Sequence, residues 1–240
     1  MIKILLAVGV WVALSEMAWA GFDEGLAAAQ RGDYATALIE WQPLAKQGDA
    51  DAQYNLGVMY RRGDGVPKNA VEAVRWYRLA ANQGVAQAQY NLGLMYDKGE
   101  GVPKNTVEAV RWFRLAADQG VARAQYNLGV MYDKGDGVPK NAVEAVRWYR
   151  LAADQGAAKA QGFLGVMYWR GEGVPKNDVV AYALLNLSSV DDADAIMPRD
   201  ALEKIMSVTQ IEAGQALSMK LQSSDHFLQT LDEAVQQTSK

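Results

Sequence analysis

"AQYNLGVMYDKGDGVPKNAVEAVRWYRLAADQG" runs from Ala124 to Gly156, and its reading decides the fold. The stretch has close copies on both sides. "AQYNLGVMY" begins at Ala52 and Ala124, "AQYNLGLMY" at Ala88 and "AQGFLGVMY" at Ala160, each start 36 residues after the last. The glycine-rich string recurs on the same spacing at Gly63–Asn69, Gly99–Asn105, Gly135–Asn141 and Gly171–Asn177. Segments 88–123 and 124–159 differ at only six positions. A fixed period of this length describes an array of stacked units, none of which buries a core alone.

Each unit reads as two helices. In the first, expected over Ala88–Lys98, Ala88, Leu92, Met95 and Tyr96 fall at helical spacing. Gly93 interrupts it and costs about 1 kcal/mol relative to alanine, so its recurrence in every unit predicts a close helix–helix approach. The second helix, expected over Thr106–Gln119, carries Ala109, Trp112, Phe113 and Ala116 as an apolar stripe, with Glu108, Arg111 and Arg114 on the wet side. Asn105 is placed to cap it, with Glu108 reaching back in a capping box, and Gly120 to end it in a left-handed turn. Ala73 and Ala80 leave room for neighbouring Trp and Tyr rings. A phosphate-binding loop needs a third glycine and a Lys-Ser/Thr pair, and "GEGVPKN" has neither. Gly99 stops one helix, Gly101 permits the reversal and Asn105 starts the next. Lys68, Lys104, Lys140 and Lys176 form a solvated basic row.

The same residues resemble the Sel-one-like repeat (SLR), a branch of the tetratricopeptide superfamily with a longer inter-helix loop. The resemblance covers about Ala50–Ser189. It implies an all-α fold, an α/α right-handed solenoid of tetratricopeptide/Sel-one-like helix pairs whose first helices line a concave groove. It also implies an adaptor role. The expected organisation is a signal peptide at 1–20, a tetratricopeptide-like capping unit at 21–49, four repeats at 50–189, C-terminal capping helices at 190–222 and a tail at 223–240. Gly162, Phe163, Val180 and Leu184 depart from the pattern, as a terminal unit does. Helices are expected around Arg199–Met206, after which Ser207 serves as a cap, and around Thr209–Leu221. Asp191, Asp192 and Asp194 read as a solvated acidic linker. A short helix at Phe227–Val235 is expected to fray beyond its end.

Family register places three varied rows on the groove floor. One is Asp51, Gln87, Arg123 and Lys159. A second is Arg61, Asp97, Asp133 and Trp169, followed by Arg62, Lys98, Lys134 and Arg170. The third is aromatic, Tyr54, Tyr90 and Tyr126, ending in Gly162. Tyrosine and arginine are enriched where proteins meet, and the first row shifts from acidic to basic, which suits an oriented partner segment. Against this stands stacking of the tyrosines between units and simple solvation of the charges. Trp169 is the sharpest single site, since it replaces acids in a row expected to face solvent. Asn55, Asn91 and Asn127 are expected to bond backbone between helices.

Lys3, the apolar run Ile4–Leu14 and Ala18-Trp19-Ala20 read as a secretory signal cleaved near Ala20. An uncleaved anchor is the alternative, and periplasm and exterior both remain open. No cysteine is present, which excludes lipidation after the run, disulfides and thiol catalysis. The net charge of −4 argues against nucleic acid. The single histidine, His226, rules out multi-histidine metal sites within one chain. "SSDH" at Ser223–His226 holds the residue types of a hydrolase triad, but neighbours in sequence cannot converge as a triad must.

The expectation is therefore a non-enzymatic protein-interaction scaffold without cofactor or metal, a monomer after export with no stable membrane insertion. Two further readings use the same groove: an immunity protein that inhibits an exported toxin, and a cell-wall glycan- or peptide-binding protein or enzyme.

Overall fold

In the computed structural model, residues 21–238 are described. The expected signal peptide lies outside them. Backbone contacts divide the chain into two units, one ending at Trp112 and the other beginning at Phe113.

The first unit opens with α1 (21–30) and α2 (Tyr34–Gln47). Gly25 lets them close: a Cβ there would lie 2.4 Å from the Trp41 indole, whose N–H donates to the Phe22 carbonyl at 3.2 Å. Next come α3 (Ala50–Arg62), α4 (Ala70–Asn82), α5 (Ala86–Lys98) and the start of α6 (Thr106–Asp118). The expected helices are present, with ends shifted by one or two residues. The glycine inside each first helix is a contact point. A Cβ on Gly57 would lie 2.5 Å from the Tyr77 ring, and Ala73, Ala80 and Tyr77 are fully buried in the same cluster as Trp112. Burying such a ring is worth about 2 kcal/mol, which exceeds the helix-propensity cost of the glycine.

The loops are built as expected, with one correction. Gly99 adopts φ +73° and its N–H donates to the Met95 carbonyl. Gly101, at φ +70°, sits against the preceding second helix, where a Cβ would come within 2.3 Å of the Ala70 carbonyl oxygen. Its role is thus close approach between repeats as well as reversal. Asn105 accepts from the Glu108 N–H at 3.1 Å. Glu108 does not complete a capping box, because the Asn105 N–H already donates to the Tyr96 carbonyl at 2.9 Å. Released from that duty, Glu108 pairs with Arg111 at 3.4 Å, as Glu72 does with Arg75.

The second unit contains α7 (Ala122–Lys134), α8 (Ala142–Asp154), α9 (Ala158–Arg170) and α10 (Asp178–Ser188). A 3₁₀ turn at Ala193–Ala195 leads into α11 (Ile196–Glu203), α12 (Val208–Gln222) and α13 (Phe227–Thr238). Ser207 caps α12 in a complete capping box with Gln210. Gly214 of α12 admits the Tyr182 ring of α10, to which a Cβ would approach within 2.7 Å.

The helix expected at Phe227–Val235 is present, runs on to Thr238 and is docked on the core. Phe227, Leu231 and Ala234 of α13 join the same buried cluster as α8–α10 and α12. Their spacing of four and three residues puts them on one face of the helix, and that face is the one buried.

Side-chain amides bind neighbouring helices, but the residues responsible are glutamines. Buried Gln53, Gln89, Gln125 and Gln161 each donate to a carbonyl near the end of the preceding helix, those of Ala45, Ala81, Ala117 and Ala153. Each of these carbonyls also accepts from the N–H of the glycine that ends its helix, Gly48, Gly84, Gly120 or Gly156, so the amide supplies a second donor at the helix end. The asparagine expected in that role, Asn91, accepts instead from Arg61 at 3.2 Å.

Candidate interaction face

The first helix of each repeat projects its varied residues from positions set by the buried Ala, Leu, Gly and Met of its other face. In the first unit, Asp51 and Gln87 are exposed, as are Arg62 and Lys98. Lys98 lies 3.9 Å from Glu100. Arg61 is half-buried, held by Asn91 and lying near the Tyr77 hydroxyl. Tyr54 is half-buried with its ring 5.9 Å from that of Tyr77, while Tyr90 and Asp97 are also half-buried. Burial pushes the Tyr77 phenol up to about 12, although the Arg61 charge pulls it the other way.

In the second unit, Arg123, Lys134, Lys159 and Arg170 are exposed. Trp169 was expected to stand free. It is half-buried and packs against the core of its unit, because that core extends past α9 to α10 and the terminal helices. Tyr126 packs between helices, its ring 6.1 Å from Tyr149 and 5.8 Å from Phe163. The Tyr149 and Phe163 rings stack at 5.4 Å. Tyr149 crosses Gly129 of α7, where a Cβ would lie 2.5 Å from its ring. Burial raises its phenol pKa, and the Asp133 carboxylate adds to that. Tyr126 is raised too, by burial first and then by Asp192 and Asp194.

Asp133, Phe163 and Arg170 line one cleft of about 300 Å³ with Asp192, Asp194 and Glu172. Sequence reasoning placed Asp133 and Arg170 on this face and missed the others. Asp192 and Asp194 belong to the cleft wall rather than to a merely solvated linker. Phe163 is 38 % exposed where the other repeats carry asparagine. The signal for it was the Gly162-Phe163 departure. A Cβ on Gly162 would lie 2.8 Å from the Ser188 hydroxyl, so tyrosine cannot occupy that position. The aromatic row moves one residue on, to Phe163.

Arginines expected on the wet side have partners as well. Arg78 donates to the Tyr96 hydroxyl at 2.7 Å, and Arg114 to that of Tyr132. Lys68, Lys104, Lys140 and Lys176 are exposed, the last 3.4 Å from Asp178. The "SSDH" string makes the turn into α13: the Ser224 hydroxyl accepts from the His226 backbone N–H and meets Thr230 at 2.8 Å, while His226 is exposed. Among the described residues, no group of three or more His, Cys, Asp or Glu side chains suits a metal ion. Among them also, no helix is long and apolar enough to cross a membrane.

The family model described as Sel1 repeat matches residues 50–85, 86–121, 122–156 and 158–189. The chain is 39 % identical to a Sel1 repeat protein from Oxalobacter formigenes, with a TM-score of 0.69 over 73 % of this chain and 72 % of that one. It is 30 % identical to c5321, a protective antigen of uropathogenic Escherichia coli with an SLR fold; the TM-score is 0.56 over 85 % of this chain and 52 % of that one. It therefore spans about half the length of the antigen. No match was found among curated proteins. Proteins of this kind generally serve as protein-interaction scaffolds and are typically non-catalytic. With four matched repeats, consecutive packed helix pairs and these relatives, the chain belongs to the Sel1 repeat family.

Proposed function

We propose that the chain is a non-enzymatic adaptor exported to the bacterial periplasm or exterior, where it grips a segment of a partner protein on the face formed by the first helices. The observation that carries this reading is the contrast between the two faces of each helix. The Leu, Gly, Met and Gln positions repeat with little change, whereas Asp51, Gln87, Arg123 and Lys159 differ in charge and are all exposed. Packing requires the first set, and nothing in the packing requires the second.

Affinity capture from an envelope extract tests the reading, with Arg123→Glu/Lys159→Glu as the control variant. Specific partners should be retained by the wild type and lost by the variant. Identical partner sets for both would remove the groove from the account. Export is supported by Lys3, the Ile4–Leu14 run and Ala18-Trp19-Ala20. Cell fractionation, with mass measurement of the mature N-terminus expected at Gly21, tests it. Recovery of the full chain from the cytoplasm would overturn export.

A further inference from the structure

We propose that the cleft of the second unit is a cation pocket that receives a lysine or arginine side chain from a basic segment of a partner protein. The inference deepens the adaptor reading and rests on it. Two independent features of the cleft converge on this occupant.

The first is charge. Asp133, Asp192, Asp194 and Glu172 line the cleft against a single cation, Arg170. Four carboxylates against one guanidinium leave the lining with an excess of negative charge. Asp192 spends one oxygen on the Asp194 N–H at 3.3 Å, which fixes its position without neutralising it.

The second is an aromatic floor. Phe163 presents an exposed ring backed by Tyr149 at 5.4 Å and flanked by Tyr126 at 5.8 Å. A cation over such a face is attracted by the ring quadrupole, and a long aliphatic stem packs on the same surface. An anionic or purely apolar occupant would use the floor and meet the carboxylates with a penalty.

The test uses the full chain and two fluorescein-labelled peptides of equal length, one of alternating Arg and Gly and one of alternating Glu and Gly, titrated by fluorescence anisotropy. The Arg peptide should bind, and more weakly as salt rises, while the Glu peptide should not. Asp133→Asn/Asp194→Asn should weaken the Arg peptide by about tenfold, as the loss of two partly exposed ion pairs implies. Phe163→Ala should weaken it several-fold, and Arg170→Gln should tighten it. Circular dichroism of each variant separates lost binding from lost fold. Equal binding of both peptides, or an Arg affinity unchanged in Asp133→Asn/Asp194→Asn, would falsify the pocket. Sedimentation showing that the wild type self-associates through this face would overturn it in favour of a second copy of the chain. Envelope capture distinguishes the two levels of the argument. Partners kept by the cleft variant but lost by Arg123→Glu/Lys159→Glu sink the pocket and spare the adaptor reading; no specific partner of the wild type sinks that reading itself.

Discussion

Arg150 of α8 donates to the Asp232 carboxylate of α13 at 2.6 Å, and so ties a repeat helix to the last helix of the chain. Arg78, its counterpart in the first unit, donates only to a tyrosine hydroxyl of the next helix, that of Tyr96. Arg150 keeps the equivalent contact, to Tyr168 at 3.5 Å, and adds the carboxylate. The terminal helix thus uses a contact the repeat already offers. Because Asp232 is half exposed, Asp232→Ala should cost under about 1 kcal/mol. Truncation after Gln222 removes the buried Phe227 and Leu231 and should cost about 3 kcal/mol or more. Thermal unfolding of both variants checks the order, and equal melting temperatures for the wild type and the truncation would refute the docking role.

Two glycines with similar backbone angles should respond differently to alanine. Gly84 has φ +92° with no atom within 4 Å of an added Cβ, so Gly84→Ala should cost about 1 kcal/mol of left-handed strain. Gly101 adds a 2.3 Å clash with the Ala70 carbonyl, which is backbone and cannot swing aside. Gly101→Ala should cost roughly twice as much or more. Urea unfolding of the pair measures the difference directly.

Gln125 donates to the Ala117 carbonyl at 3.2 Å and accepts from Gln155 at 2.8 Å. Gln125→Leu keeps the volume and removes both bonds, while the Ala117 carbonyl keeps its bond from the Gly120 N–H. The expected loss is about 1 kcal/mol, read from the urea midpoint at unchanged slope.

Tyrosine titration sets an alkaline limit. Burial raises the phenols of Tyr77 and Tyr149 in the folded state above their unfolded value near 10. The folded state therefore holds protons that the unfolded state releases. Stability from this source is full below pH 10 and declines as pH rises, for Tyr77 through about 12. Tyr149→Phe should flatten part of that decline. It should be neutral or slightly stabilising at pH 7, since it removes a hydroxyl that has no partner. Phe113 already occupies the corresponding position of another repeat and is buried. Melting temperatures between pH 8 and 12 check both points, and a wild-type curve flat to pH 12 would contradict the assignment.

Much of the fold was legible because it is periodic. The repeat revealed Gly57, Gly93 and Gly129 as one position, and a single helix-breaking glycine kept at one register can only mean contact. Less of the interaction face could be read. Tyr54, Tyr126 and Trp169 lie near the expected face, yet much of their surface goes into packing, and periodicity does not reveal which side of an amphipathic ring is spent there. Asp192 and Asp194 were missed because they follow the last repeat, where there is no register to read.

The sequence by itself determined the helix pairs, their caps, their turns and the period on which they stack, because each depends on residues within one unit length. Only the tertiary structure decided which polar groups remain free. Asn105 surrenders its N–H to Tyr96, so Glu108 turns to Arg111. Asp133 meets Asp192 and Asp194 across a cleft opened by Gly162. Those outcomes depend on competition between partners distant in sequence. Such competition is settled by geometry in space, which local pattern does not encode.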